Sequence, residues 1–215
     1  MIVPESPAQL IEEFLPEVLG QLLSSAAGSA AAPSGVTTSG AGRRTAMPAA
    51  AGVGLRVVGA GEWTLRIVTE RLLVEPGIGS DVALQLSTAA RDFEPLVVAP
   101  VRRALAQREA GASISSQSLW TRLGRWDAET VELLRRQTGS ILLRIQDGEL
   151  QRAVALTPST QPFSLDSASC TIDCALSDLE ALQQQRGNPL DLFYQGQIRI
   201  SGDAQIALAM AGLFL

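Results

Sequence analysis

The chain has 215 residues, 46% of them hydrophobic and 18% charged, a globular balance with length for one large domain or two small ones. Its net charge of -5 excludes the basic footprint that phosphate backbones require, so no nucleic-acid partner is expected. It contains no histidine and every basic residue is arginine, which removes the commonest general base, the Schiff-base amine and the phosphate-loop lysine.

Met1-Ile-Val-Pro-Glu-Ser-Pro7 has neither a basic leader nor an apolar signal core. Ser6-Pro7-Ala8-Gln9 then opens a helix with a cap and a proline at its first position. Leu10, Ile11, Phe14, Leu15, Val18, Leu19, Leu22 and Leu23 keep a helical period, and Pro16 predicts a kink. Residues 27–52 are Ala, Gly, Ser, Thr and Pro around Arg43-Arg44, the composition of a flexible linker.

Strand patterns follow. Leu55–Val58 and Glu62–Val68 read as a hairpin about Gly59-Ala60-Gly61, and Leu72–Glu75 as a short strand stopped by Pro76-Gly77. Asp81–Leu86 alternates, which sets Val82, Leu84 and Leu86 on one face and Ala83 and Gln85 on the other. A helix is expected from Thr88 to Glu109, disturbed at Pro95 and Pro100, and another from Leu119 to Gln137. Ser140–Ile145 and Glu149–Leu156 form a second hairpin.

Cys170–Cys174 alternates as a strand, so its two thiols share a face ~13 Å apart, too far for a disulfide. With these the only thiols and no histidine, no metal and no cofactor is expected. Ser177-Asp-Leu-Glu180 reads as a capping box. Asn188–Tyr194 reads as a helical turn, Gly196–Gly202 as a strand, and Asp203 as the cap of a last helix.

The order helix, hairpin, strand, helix occurs twice, and Val82, Leu84 and Leu86 match Cys170, Ile172 and Cys174 in spacing. This predicts an internal repeat of about 100 residues. The expected organisation is an N-terminal helix (1–26), a linker (27–52), a first unit (53–112) and a second unit (117–215).

The last helix is apolar nearly all round. Ala204, Ala207 and Ala211 make a small stripe, with Ile206, Met210 and Leu213 on the opposite side. Such a helix needs cover on both sides, from a sheet and from a ligand, a second subdomain or a partner chain.

Gly196-Gln-Ile-Arg-Ile-Ser-Gly-Asp203 followed by Ala204–Phe214 resembles the closing strand and helix of sterol carrier protein 2-like domains. Asn188–Tyr194 is similar to the turn before that strand. Gly61–Leu65, Val74–Gly77, Ser80–Val82 and Asp92-Phe93 resemble the family's hairpin, third strand, fourth strand and following helix. The resemblance implies an α+β fold: a twisted, mainly antiparallel sheet with helices on one face around a hydrophobic tunnel, here in two related units. The closing motif occurs once, and it is assigned to the second block because sequential elements are usually neighbours. The first unit is then incomplete.

The function expected is non-enzymatic carriage of a lipid, sterol-like or acyl ligand in a bacterial, cytoplasmic protein without a transmembrane segment. Trp120, Trp126 and Phe193 are candidate tunnel residues, together with Ile206, Met210, Leu213 and Phe214 of the last helix. A homodimer or protein partner is the other way to cover that helix. Two further readings stay open. One is a scaffolding or accessory protein with a filled core. The other is a cofactor-free cyclase or isomerase using a buried Asp173 or Tyr194.

Overall fold

The computed structural model describes residues 6–17, 52–68, 71–100, 102–103, 128–158, 168–183 and 187–208. Helix α1, Pro7–Gln9, starts after an extended Ser6 with Pro7 in its first turn, although the serine side chain makes no cap bond. It widens at once into a π turn, Leu10–Phe14, in which the Leu15 amide donates to the Leu10 carbonyl. Pro16 has no amide to donate and its ring crowds the carbonyl four residues back, so the helix loosens where a kink was expected. The same happens around Pro95: α2, Ala90–Phe93, runs into a π turn over Glu94–Val98.

Eight strands form one sheet among the described residues: β1 Gly52–Val58, β2 Gly61–Val68, β3 Arg71–Pro76, β4 Val82–Ala89, β5 Ile141–Asp147, β6 Leu150–Pro158, β7 Cys170–Ala175 and β8 Arg199–Gly202. Their order is β3-β2-β1-β4-β6-β5-β7-β8. Only β1–β4 and β5–β7 are parallel. The sheet is therefore mixed and mainly antiparallel, and the fold is α+β.

The strand order has a rhythm. The triplet β2-β1-β4, a hairpin with a parallel third strand, recurs as β6-β5-β7. β8 lies antiparallel on β7 as β6 lies antiparallel on β4. The closing strand thus pairs with β7, the strand that precedes it in the sequence. The open edge of the first block is filled by the second block's own hairpin.

Three sequence expectations are corrected here. β4 continues through Thr88 and Ala89 rather than turning helical at Thr88, because the Thr88 hydroxyl donates to the Ala153 carbonyl at 2.9 Å across the seam to β6. The strict alternation of β4 fails as well. Gly52 pairs with Val82 but Val53 pairs with Leu84, a bulge that turns Ala83 into the same core as Leu84. Val82 is sent toward Gly54 on the other face. Finally, α4 spans Leu176–Gln183, so Ser177 is its second residue and not its cap. β7 runs straight into this helix and leaves no room for a capping turn.

Residues paired across strands share a face, which sorts the sheet. One face carries Val53, Leu55, Trp63, Leu65, Leu84, Leu86, Leu156, Ile141, Cys170 and Ile172. Helix α1 and the α2 segment pack over its first half through Leu10, Ile11, Phe14, Leu15, Phe93 and Val98. Over the second half lie α3, Ala128–Arg136, and a helical turn at residues 204–208, contributing Val131, Leu134, Ile206 and Ala207. Leu86 packs against both clusters, so the apolar layer is continuous across the seam. The expected linker, apart from Gly52, and the parts of the two expected helices at 104–109 and 119–127 lie outside the described residues.

Candidate functional site

The second half of the apolar face is the candidate ligand-facing surface. It is walled by β5, β7 and β8, whose in-register residues Ile141–Cys170–Gly202 and Leu143–Ile172–Ile200 run across three strands. Cys170 and Cys174 are buried, free thiols on this face. Burial, with the Asp178 and Asp173 carboxylates nearby, pushes Cys174 up to about 11. Burial also raises Cys170, with Asp203 adding to the effect. Both therefore remain protonated at neutral pH and serve as small apolar wall residues, not nucleophiles.

Two short caps set the approach to this wall. Helix α5, Pro189–Tyr194, is capped by the Asn188 side chain, which accepts from the Leu190 amide. The last turn is capped by Asp203, whose Oδ1 accepts from the Gln205 amide at 2.9 Å. That turn seats Ile206 and Ala207 together in the core while Ala204 stays exposed. The expected opposition of Ile206 to Ala207 is not seen at these residues, and Met210, Ala211 and Leu213 of the two stripes lie outside the described residues. Ile206 enters the core beside Ala207 because Gly139, at φ +97°, leaves a hollow at the entry to β5. A Cβ there would stand 2.6 Å from Ile206 Cδ1.

Of the candidate tunnel residues, the structure brings Ile206 to the apolar face. Phe193 instead stands 45% exposed, its ring edge-on to that of Tyr194 at 5.9 Å. Trp120, Trp126, Met210, Leu213 and Phe214 lie outside the described residues. Trp63 is buried in the first half, and its indole N–H donates to Glu12 Oε1 at 2.7 Å, tying α1 to the sheet.

The two groups that chemistry would need are both in the open. Asp173 points to the polar face, half exposed, with both oxygens engaged by Arg144. Tyr194 is 81% exposed. Among the described residues there is no group of carboxylates and thiols placed to hold a metal, and no helix is long and apolar enough to cross a membrane. Residues missed by sequence reading include Gly139 and Arg144. A lone glycine before a strand and an arginine at an alternating position were the available signals, but both acquire meaning only once strand register is known.

Solved structures similar to this chain include three of sterol carrier proteins. Sterol carrier protein 2 from Yarrowia lipolytica, in its apo form, aligns at 14% identity and TM-score 0.28, over 35% of this chain and just under two thirds (66%) of that one. Sterol carrier protein 2 like 2 from Aedes aegypti aligns at 19% identity and TM-score 0.32, over 52% of this chain and 97% of that one. The palmitated form of the Aedes aegypti protein, solved by NMR, aligns at 18% identity and TM-score 0.33, over 55% and 93%. No curated protein matches the chain. Residues 115–215, nearly half of the chain's length, match the SCP-2 sterol transfer family.

Proposed function

We propose that the protein binds and carries a hydrophobic small molecule, of lipid, sterol-like or acyl character, and does no chemistry on it. The observation that carries this reading is the family match over residues 115–215, the block whose sheet face is apolar across β5, β7 and β8. The energetics agree. Burying about 300–400 Å² of apolar ligand at ~25 cal/mol per Å² contributes roughly 8–10 kcal/mol before association costs of several kcal/mol, which leaves micromolar affinity without a strong polar contact. A thiol held protonated and a carboxylate turned to the opposite face both suit a wall that holds rather than reacts. A cyclase or isomerase using Asp173 or Tyr194 is disfavoured by the exposure of both groups.

The test is native mass spectrometry of the freshly purified protein together with displacement of a fluorescent fatty acid. A bound apolar species and saturable displacement are expected. A ligand-free spectrum with no saturable binding of fatty acid or sterol refutes the carrier reading.

One observation favours a second reading, a scaffold that docks a partner. Leu190, Phe193 and Tyr194 of α5 are exposed, and Leu208 of the last turn is 69% exposed. Loss of partner capture on changing Leu190 and Tyr194 to serine, with fatty-acid displacement absent from the parent protein, would favour it.

A further inference from the structure

The polar face of the second half, across the sheet from the apolar wall, holds an open cleft of about 360 Å³. Its lining includes Arg144, Asp173 and Arg199, with the amides of Gln146, Gln151 and Gln197. The three charged residues sit in register on three adjacent strands: Arg144 of β5 opposite Asp173 of β7, and Asp173 opposite Arg199 of β8.

The pairing within this row is lopsided. Arg144 Nη2 donates to Asp173 Oδ2 at 2.8 Å, and its Nε lies 2.7 Å from Oδ1 as an ion-pair contact not aligned as a hydrogen bond, so both carboxylate oxygens face this one guanidinium. Arg199 has no ion-pair or hydrogen-bond partner among the described residues, although an acid stands directly across from it. The row therefore keeps one uncompensated positive charge in a chain whose net charge is -5. A guanidinium presents its donors as a planar fork matched to two oxygens of one acid group. The carboxamides of Gln151 and Gln197 offer further N–H donors, Gln146 keeps one N–H beyond the one it donates to the Gly148 carbonyl at 2.7 Å, and none adds a competing negative charge.

We propose that this cleft binds an oxyanion, a carboxylate or a phosphate monoester, with the Arg199 guanidinium as its principal contact and Gln146, Gln151 and Gln197 as supporting donors. Asp173 limits the site, because it holds the second guanidinium away from the anion. The cleft lies on the other side of the sheet from the apolar wall, so its test does not depend on lipid carriage.

The experiment is an NMR titration of the full chain with inorganic phosphate at low salt, followed at the backbone amides of Gln146, Gln197 and Arg199. Saturable shifts are expected at these positions. Arg199→Gln should weaken binding about tenfold, the equivalent of one charge-assisted hydrogen bond. Asp173→Asn should do the opposite and tighten it about threefold by freeing Arg144 for the anion. Both side chains are on the surface, and far-UV circular dichroism checks that each variant is folded. Absence of saturable shifts, unchanged affinity in Arg199→Gln, or weaker binding in folded Asp173→Asn would each overturn the proposal. A parallel titration with dodecyl phosphate separates the two sources of such a group. Tighter binding than inorganic phosphate, lost again in Arg199→Gln, marks a lipid headgroup, and equal binding marks a free anion.

Discussion

The seat of the last helical turn is testable through one missing side chain. Gly139 has φ +97°, and a Cβ there would meet the Ser169 hydroxyl and stand 2.6 Å from Ile206 Cδ1. Gly139→Ala therefore combines backbone strain of about 1–2 kcal/mol with overpacking of about 1–3 kcal/mol, for a total of roughly 2–5 kcal/mol. For a chain of this size each kcal/mol is worth about 2–4 °C, so the melting temperature should fall by roughly 4–20 °C. Ile206→Val removes the clashing Cδ1 atom and alone costs about 0.5–1.5 kcal/mol. In the double variant the valine relieves part of the alanine's strain, so the two effects should fall short of additivity by about 1 kcal/mol. Urea melts of the parent, both single variants and the double variant complete the cycle. Additivity within about 0.4 kcal/mol would refute the contact and, with it, the placement of the last turn over β5.

Two other perturbations have signs that are worked out from the structure. Ser87 and Thr157 are buried on adjacent strands at the seam, and neither hydroxyl has a hydrogen-bond partner among the described residues. Ser87→Ala and Thr157→Val should leave stability unchanged or raise it by up to about 1 kcal/mol, and a loss above 1 kcal/mol in urea melts would mean that the hydroxyl is bonded after all. The Arg66 guanidinium holds the Asp81 carboxyl below its ordinary value of 3.8. The stabilisation is thus present above that value and fades as pH falls through the lower, folded one. Asp81 is 48% exposed, so the effect stays below about 1 kcal/mol. Asp81→Asn should flatten this acid limb in melts compared at pH 5 and pH 2.5, and an unchanged slope would count against the pairing.

The strands were the most legible part of the chain because alternation is a local signal. Cys170, Ile172 and Cys174 share a face for the same reason that Val53, Leu55 and Val57 do. The closing strand was legible as a strand too, since Gly196–Gly202 alternates between two glycines. The bulge at Ala83 was hidden because it exists only relative to β1. The π turns were hidden because proline announces a disturbance without saying whether the helix kinks or widens. At the candidate site, the apolar side chain of Ile206 was readable, but its place in the core beside Ala207 was not. The outward stance of Phe193 and the pairing of Arg144 with Asp173 depend on register, which one-dimensional spacing does not contain. Ser177 misled because a capping sequence is equally at home one residue inside a helix.

The seam between the two blocks also matters while the chain is being made. β4 ends at Ala89, and the strand that covers its outer edge begins only at Leu150. At about 5–20 residues per second, the ribosome takes roughly 3–12 s to cross that interval. Throughout it, the nascent first block holds out Val82–Ala89, a row of small and apolar residues with a free ladder of backbone donors and acceptors. Any neighbouring nascent chain of the same kind, emerging on the same message, offers an identical edge. Slow codons or a pause between those two strands would lengthen the time during which half a sheet can pair with the wrong copy. A chaperone that binds extended apolar segments would find its natural client in that window, not in the finished protein.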